Sequence, residues 1–197
     1  QVGVSGNQLI FMRFQAPTPG IWRIRVYNTI FLNGIYHIWL PIHGFTSDDT
    51  VFLQADPYTT ITGPGNAAFP ITVSTYNHMN GSLFIHSSRG NTRNGLLKPD
   101  LAAPGVDVYG PGISTGTAPA PMVRMTGSSV AAAHVAGAVA NLMSWGMNQG
   151  DDTVLNYRNI KSALIRGANR NPAYTYPNRE WGYGTLDLYQ TFLAMRE

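Results

Sequence analysis

The sequence predicts an α/β protein in two parts. Residues 59–197 read as a mostly parallel sheet with flanking helices, and residues 1–58 as part of an antiparallel β sandwich such as a jelly roll. Three observations carry this. The first part is rich in aromatic and β-branched residues arranged in short alternating runs. From about residue 59, short apolar runs alternate with long helical patterns, as in a sheet covered by helices. Apolar residues make up 44% of the chain and charged residues 12%, which supports a sizeable core and argues against disorder.

In the first part, the runs Leu9–Phe14, Ile21–Tyr27, Ile35–Ile42 and Val51–Leu53 are predicted strands. Turn signals separate them at Pro17-Thr18-Pro19-Gly20, Asn33-Gly34 and Ser47-Asp48-Asp49. In Ile21–Val26, Trp22, Ile24 and Val26 share one face and Arg23 and Arg25 the other, as a half-buried strand requires. The aromatics Trp22, Tyr27, Phe31, Tyr36 and Trp39 are expected to pack in a core, a glycan-binding platform being the alternative.

In the second part, Phe69–Tyr76 and Leu83–Ser87 are predicted buried strands. Lys98–Gly105 is expected as a rigid buried turn, with φ fixed by Pro99 and Pro104, leading into a strand at Val106-Asp107-Val108. A long buried helix is expected over Ser129–Met147. A second helix is expected over Val154–Arg166, capped by Asp151, Asp152 or Thr153 and stopped at Gly167, and a last one over Leu186–Met195. Capping explains Asp151-Asp152 better than a cation site does, because acidic residues suit a helix's first turn.

Composition narrows the function. The net charge is +3, and the basic residues are dispersed without a basic run or an aromatic ladder, which argues against nucleic-acid binding. There is no cysteine, so disulfides and thiolate metal sites are excluded. Gln1–Gly6 lacks the charged and apolar regions of a signal peptide. The apolar stretch Val130–Trp145 is shorter than a bilayer span and carries His134 and Asn141, so no membrane span is expected.

The most informative stretch is residues 126–137, Thr-Gly-Ser-Ser-Val-Ala-Ala-Ala-His-Val-Ala-Gly. A serine in a helix's first turn lies where peptide dipoles converge and backbone N–H groups lack intrahelical partners. Such donors favour the negative charge that develops when a hydroxyl attacks a carbonyl. An alanine-rich buried helix with serine caps is the plainer reading. The stretch resembles the nucleophile turn and helix of subtilisin-like serine proteases, the subtilases of peptidase family S8, whose pattern runs Gly-Thr-Ser-Met-Ala-Ala-Pro-His-Val-Ala-Gly. Two further blocks, in the family's order, resemble the same proteins. Ser87-Ser88-Arg89-Gly90 precedes Lys98-Pro99-Asp100-Leu101-Ala102-Ala103-Pro104-Gly105, and Trp181-Gly182-Tyr183-Gly184-Thr185-Leu186-Asp187 comes before the last helix. Gly63-Pro64-Gly65-Asn66 followed by Phe69–Val73 resembles the stretch at the specificity pocket. The β-rich block directly before it resembles the jelly roll of the clostridial Csp-type germination proteases, as do Tyr36–Ile42 and Ile71–Asn77.

The resemblance implies the C-terminal part of a subtilase catalytic domain, with Ser129 as nucleophile and an acyl-transfer mechanism. Gly127 would allow the sharp entry into the helix, and Ser128 stands where the family has threonine. Thr62 and Gly63 would lie near the floor of the pocket for the residue preceding the scissile bond. His134 lies about 140° around the helix from Ser129, so it is expected to be a structural histidine held by a hydrogen bond. Val130 replaces the family's methionine and Ala133 its proline, and neither change removes a reacting group. The family's Asp and His motifs and its oxyanion asparagine have no match. His43-Gly44 is followed by Phe45-Thr46-Ser47 and lacks the histidine context. These groups are therefore expected upstream of Gln1, and the chain alone is expected to be inactive.

Three functions follow as expectations. The first is a serine endopeptidase acting by limited proteolysis on a precursor protein, bacterial and extracytoplasmic or spore-associated. The second is a catalytically dead subtilase acting as sensor or scaffold, and the third a glycan- or surface-binding module. The expected partners are a protein or peptide substrate and the N-terminal part of the same protease, with a prodomain as an option. No cofactor is required on this reading and no metal ligand stands out, although the family leaves room for calcium.

Overall fold

A strand is stable only where a second run of backbone lies beside it, and among the described residues the first paired strand begins at Val73. The computed structural model describes residues 9–27, 36–41, 44–114, 116, 120–149 and 156–196, and divides the chain into two units, Gln1–Phe52 and Leu53–Glu197. In the first unit the described residues form no strand. Short local contacts are found instead: Trp22 Nε1 donates to the Thr18 carbonyl at 3.0 Å, Phe14 meets Trp22 edge-on, and Trp39 stacks on His37. The strands expected at 9–14 and 21–27, and in the described residues of 35–42 and 51–53, are not formed, and Trp22, Tyr27, Tyr36 and Trp39 are exposed rather than in a core. The physical reason is direct. Alternation builds a strand only against a paired edge and a facing apolar layer, and the described residues of this unit supply neither. Phe31 and the Asn33-Gly34 turn lie outside the described residues.

The second unit is built on two parallel strands, β1 (Val73–Tyr76) and β2 (Leu101–Pro104), in the register Val73↔Leu101 to Tyr76↔Pro104. Between them the chain turns at Asn77–Ser82 and returns along β1, where Leu83 makes a single antiparallel bridge with Tyr76 and Phe84 N donates to the Thr75 carbonyl. Most of the strand expected at Leu83–Ser87 is thus absent. Ser87 still belongs to this edge, because its buried Oγ accepts from Thr75 N at 3.0 Å. Half of the segment expected as a turn around Pro99 and Pro104 is strand β2. Leu101, Ala102 and Ala103 are fully buried there, and small side chains allow a helix to lie directly on them. Beyond β2, the strand expected at Val106–Val108 begins only at Val108. There β3 (Val108–Pro111) pairs antiparallel with β4 (Met122–Met125) in an exposed two-stranded ribbon.

Helix α1 (Ser128–Gln149) crosses β1 and β2, burying Ala131, Val135, Ala138 and Leu142 at helical spacing while its opposite face is exposed. It is therefore half-buried rather than buried all round. It also outruns the apolar stretch read from the sequence: by length and composition Ser128–Asn148 could cross a membrane, yet one face of it lines the core of this unit. Helix α2 (Tyr157–Gly167) is capped by Asn156, whose side chain accepts from Asn159 N at 3.0 Å. The caps expected at Asp151, Asp152 and Thr153 lie outside the described residues. Helix α3 (Leu188–Arg196) begins at Asp187, whose carboxylate accepts from Gln190 N. The two helices meet at Gly167, where a Cβ would come within 2.3 Å of the Thr191 backbone.

The start of β2 is held by charge. Asp100 Oδ2 accepts from Lys98 Nζ at 2.6 Å and from Thr72 N at 2.7 Å, and Asp100 Oδ1 pairs with Lys161 Nζ of α2 at 2.7 Å. Lys98 Nζ also donates to the Pro70 carbonyl, and only 2% of the residue is exposed. Burial pushes the Lys98 ammonium below the ordinary lysine range, and Lys161 adds to that, against the opposing pull of Asp100. The C-terminal segment closes the other edge of β2. Ala102 N donates to the Gly184 carbonyl, Leu186 N to the Ala102 carbonyl, and Tyr183 N to the Asp100 carbonyl.

Candidate active site

A relay of backbone contacts runs from the sheet to Ser129. Gly105, just past β2, donates to the Tyr76 carbonyl at the end of β1, and its own carbonyl accepts from Gly127 N at 2.8 Å. A Cβ on Gly105 would lie 2.7 Å from the Gly127 oxygen and 3.2 Å from the Ala131 Cβ, so only glycine lets the strand end approach the helix this closely. Gly127 then takes a φ of 157°, which L side chains rarely adopt, and its carbonyl accepts from Val130 N at 3.1 Å as the first bond of α1. Ser128 and Ser129 follow as the first two helical residues, and both are exposed. Among the described residues, their amides find no acceptor. They therefore present two free N–H donors at the positive end of a 22-residue helix. A hydroxyl in that position is accessible to a carbonyl carbon, with donors beside it for the developing oxyanion.

The remaining predicted residues sit around this turn in different ways. His134 is half-buried on α1, and its Nδ1 lies 3.0 Å from the Val130 carbonyl, so the ring is tied to its own helix. Thr62 and Gly63 form an exposed turn closed by Asn66 N donating to the Thr62 carbonyl, and anchored to the strand by Thr72 Oγ1 donating to the Gly65 carbonyl at 2.6 Å. No hydrogen bond links that turn to Ser129 among the described residues. Within this unit's described residues, no imidazole or carboxylate bonds the Ser129 hydroxyl either. His86 lies edge-on to Phe84. His43 lies outside the described residues. No cluster of three metal-ligating side chains occurs among the described residues. Sequence reasoning missed Gly105 as a positioning residue. Its signal was present, a glycine closing the Ala-Ala-Pro-Gly run, but its partner Gly127 is distant in sequence.

Comparison with known proteins decides the family. The model of the Subtilase family of S8 peptidases matches residues 52–184, more than half of the chain. The chain belongs to the subtilases. Among solved structures, this subtilase is similar to the CspB protease of Clostridium perfringens, with 35% identity and a TM-score of 0.66 over 74% of this chain and 31% of that one. It shares its fold with the prenylagaramide maturation protease PagA, at 23% identity and a TM-score of 0.57, covering 71% of this chain and 47% of PagA. Among curated proteins, it is 35% identical over 103 residues to the subtilisin-like protease SBT6.1 of Arabidopsis thaliana, 52% of this chain and 9% of that protein. It is 29% identical over 178 residues to the membrane-bound transcription factor site-1 protease of Mus musculus, 87% of this chain and 14% of that protein. The chain thus spans less than a sixth of the length of these two curated relatives. The relatives are serine peptidases that act on protein or peptide substrates, and the parallel β1–β2 pair flanked by helices is the subtilase α/β fold.

Proposed function

We propose that this chain is the C-terminal part of a serine endopeptidase in which Ser129 is the nucleophile and the Asp, His and oxyanion asparagine come from polypeptide preceding Gln1. The observation that carries this is Ser129 itself: an exposed hydroxyl in the first turn of α1, beside free amides, on a turn pinned through Gly105 to the ends of both parallel strands. Ser129 Oγ attacks the peptide carbonyl carbon. The upstream imidazole takes its proton and later delivers it to the leaving amine, and the upstream carboxylate orients the imidazole. The Ser129 amide and the asparagine side chain hold the oxyanion, each such donor contributing about 3–4 kcal/mol to the barrier reduction. Ser128 adds a hydroxyl beside the nucleophile. Thr62 and Gly63 border the pocket for the residue before the cleaved bond. Similarity to CspB favours limited cleavage of a precursor protein, extracytoplasmic or spore-associated, as the setting.

The test is fluorophosphonate labelling of the full-length protein, with Ser129→Ala as control and the adduct located by peptide mass mapping. Labelling confined to Ser129 is expected. A folded full-length protein that takes no label would reject the protease in favour of a catalytically dead sensor or scaffold.

A further inference from the structure

At the N-terminal end of β2, opposite the end that leads to Ser129, lies a cavity of about 220 Å³. Lys98, Lys161 and Asp100 line its polar side, and Leu96, Leu97 and Ile165 line an apolar side. The polar side is unbalanced in charge. It holds two ammonium groups and one carboxylate, and no other acidic residue lines the cavity. Asp100 is already engaged on both oxygens, Oδ1 by Lys161 and Oδ2 by Lys98 and the Thr72 amide, and its single charge is shared between two ammonium groups. Each ammonium carries three donors. Lys98 uses two, on Asp100 and the Pro70 carbonyl, and Lys161 holds Asp100 closely but the Ala68 carbonyl at only 3.4 Å. By this count one donor on each cavity-lining lysine has no acceptor among the described residues. A surplus of one positive charge, shared between buried Lys98 and half-buried Lys161 beside an apolar wall, suits a monoanion with an aliphatic body, because the ion pair and the apolar contact form together. Burial already lowers the Lys98 pKa, and a seated anion would relieve the repulsion from Lys161 that adds to it.

We propose that this cavity binds a small aliphatic carboxylate, its head between Lys161 and Lys98 and its hydrocarbon against Leu96, Leu97 and Ile165. The volume is several times the roughly 30 Å³ that one water occupies in the liquid, so a branched short chain fits. Two sources present that chemistry, a free short-chain acid and the C-terminus of a peptide ending in an aliphatic residue. The proposal stands apart from the protease reading, since it uses no residue of the Ser129 turn.

Titration of the full chain with isovalerate and with N-acetyl-leucine, followed by the methyl resonances of Leu96, Leu97 and Ile165, tests it. Saturable shifts of those methyls are expected, absent with 3-methylbutanol, which has the same hydrocarbon and no charge. Lys161→Gln, at the better exposed lysine, is expected to weaken binding at least about tenfold, the scale of one charge-assisted contact. A preference for isovalerate points to a free acid as the occupant, and one for N-acetyl-leucine to a peptide terminus. No saturable shift with either acid, equal shifts with the alcohol, or unchanged affinity in Lys161→Gln would overturn the proposal. If Lys161→Gln does not fold, the comparison of acid with alcohol on the unaltered chain decides.

Discussion

A methyl group added at Gly105 would meet the Thr75 Cγ2 at 2.6 Å and the Gly127 carbonyl oxygen at 2.7 Å, both inside contact distance. The Gly127 carbonyl also receives the first helical bond of α1, so the clash would move the Ser129 turn rather than a loose side chain. Gly105→Ala is expected to slow fluorophosphonate labelling of the full-length protein on the order of 10²-fold, since displacements near 1 Å cost that much in positioned reactions. Labelling at the normal rate would show that the turn is held by something other than this relay. Asp100 is a second residue on which much depends, because two ammonium groups converge on it. Asp100→Asn is expected to lower unfolding free energy by about 3–5 kcal/mol in denaturant melts, the usual cost of leaving buried charge without its partner.

Among the elements, α1 and the α2–α3 pair carry the packing. Leu142 is fully buried on the inner face of α1, and Leu142→Ala is expected to cost about 2–5 kcal/mol through lost transfer energy and a residual cavity. Gly167 presents the opposite problem. A methyl there would meet the Thr191 Cα at 2.3 Å, so Gly167→Ala must push α2 from α3 and is expected to cost about 1–3 kcal/mol by overpacking. A Gly167→Ala protein as stable as the parent would mean that the two helices separate freely. Helix positions were legible in the sequence because period and length agree for such segments: Ser129–Met147 against Ser128–Gln149, Leu186–Met195 against Leu188–Arg196. The cap Asn156 was not legible, since asparagine, aspartate and threonine all suit a helix's N-cap and only the chain's path assigns the role. Strand β2 was hidden by Pro99 just before it and Pro104 at its end, which suggest a turn. At its end Pro104 lies opposite Tyr76, but the Tyr76 carbonyl accepts from Gly105 N, so the ladder to β1 does not call on the N–H that proline lacks.

Across the whole molecule, two groups set opposite responses to alkaline pH. Lys98 has a lowered pKa when folded, so between that value and 10.5 the unfolded chain binds more protons, and stability rises with pH there. Tyr76 is raised above 10.0 by burial, so beyond 10.0 the unfolded chain releases its proton first and stability falls. Denaturant melts from neutral to alkaline pH are expected to show the rise before the fall, and Lys98→Met to remove the rise. A rise that persists in Lys98→Met would assign it to another group. The family and the nucleophile turn were legible because they rest on contiguous motifs, Lys98–Gly105 and residues 126–137. The absence of strands from the described residues of 9–58 was not, because alternation reports a strand's faces and says nothing of whether its partner is present. The same consideration bears on activity. The 197-residue chain by itself is expected to hydrolyse no peptide, and hydrolysis lost in Ser129→Ala would require a base among its own histidines.

The clamp on β2 also has a bearing on biosynthesis. Ala102 exchanges hydrogen bonds with Gly184 and Leu186, and Gly182, at φ 57°, nests within 2.4 Å of the Pro99 oxygen for any added Cβ. A ribosome makes β2 and the Ser129 turn long before it makes this segment. Until residues 182–186 emerge, one edge of the strand beneath the nucleophile stays open, and a polypeptide from a stalled or prematurely stopped message never closes it. The family's hazardous group is therefore seated last, after nearly all of this stretch has been translated.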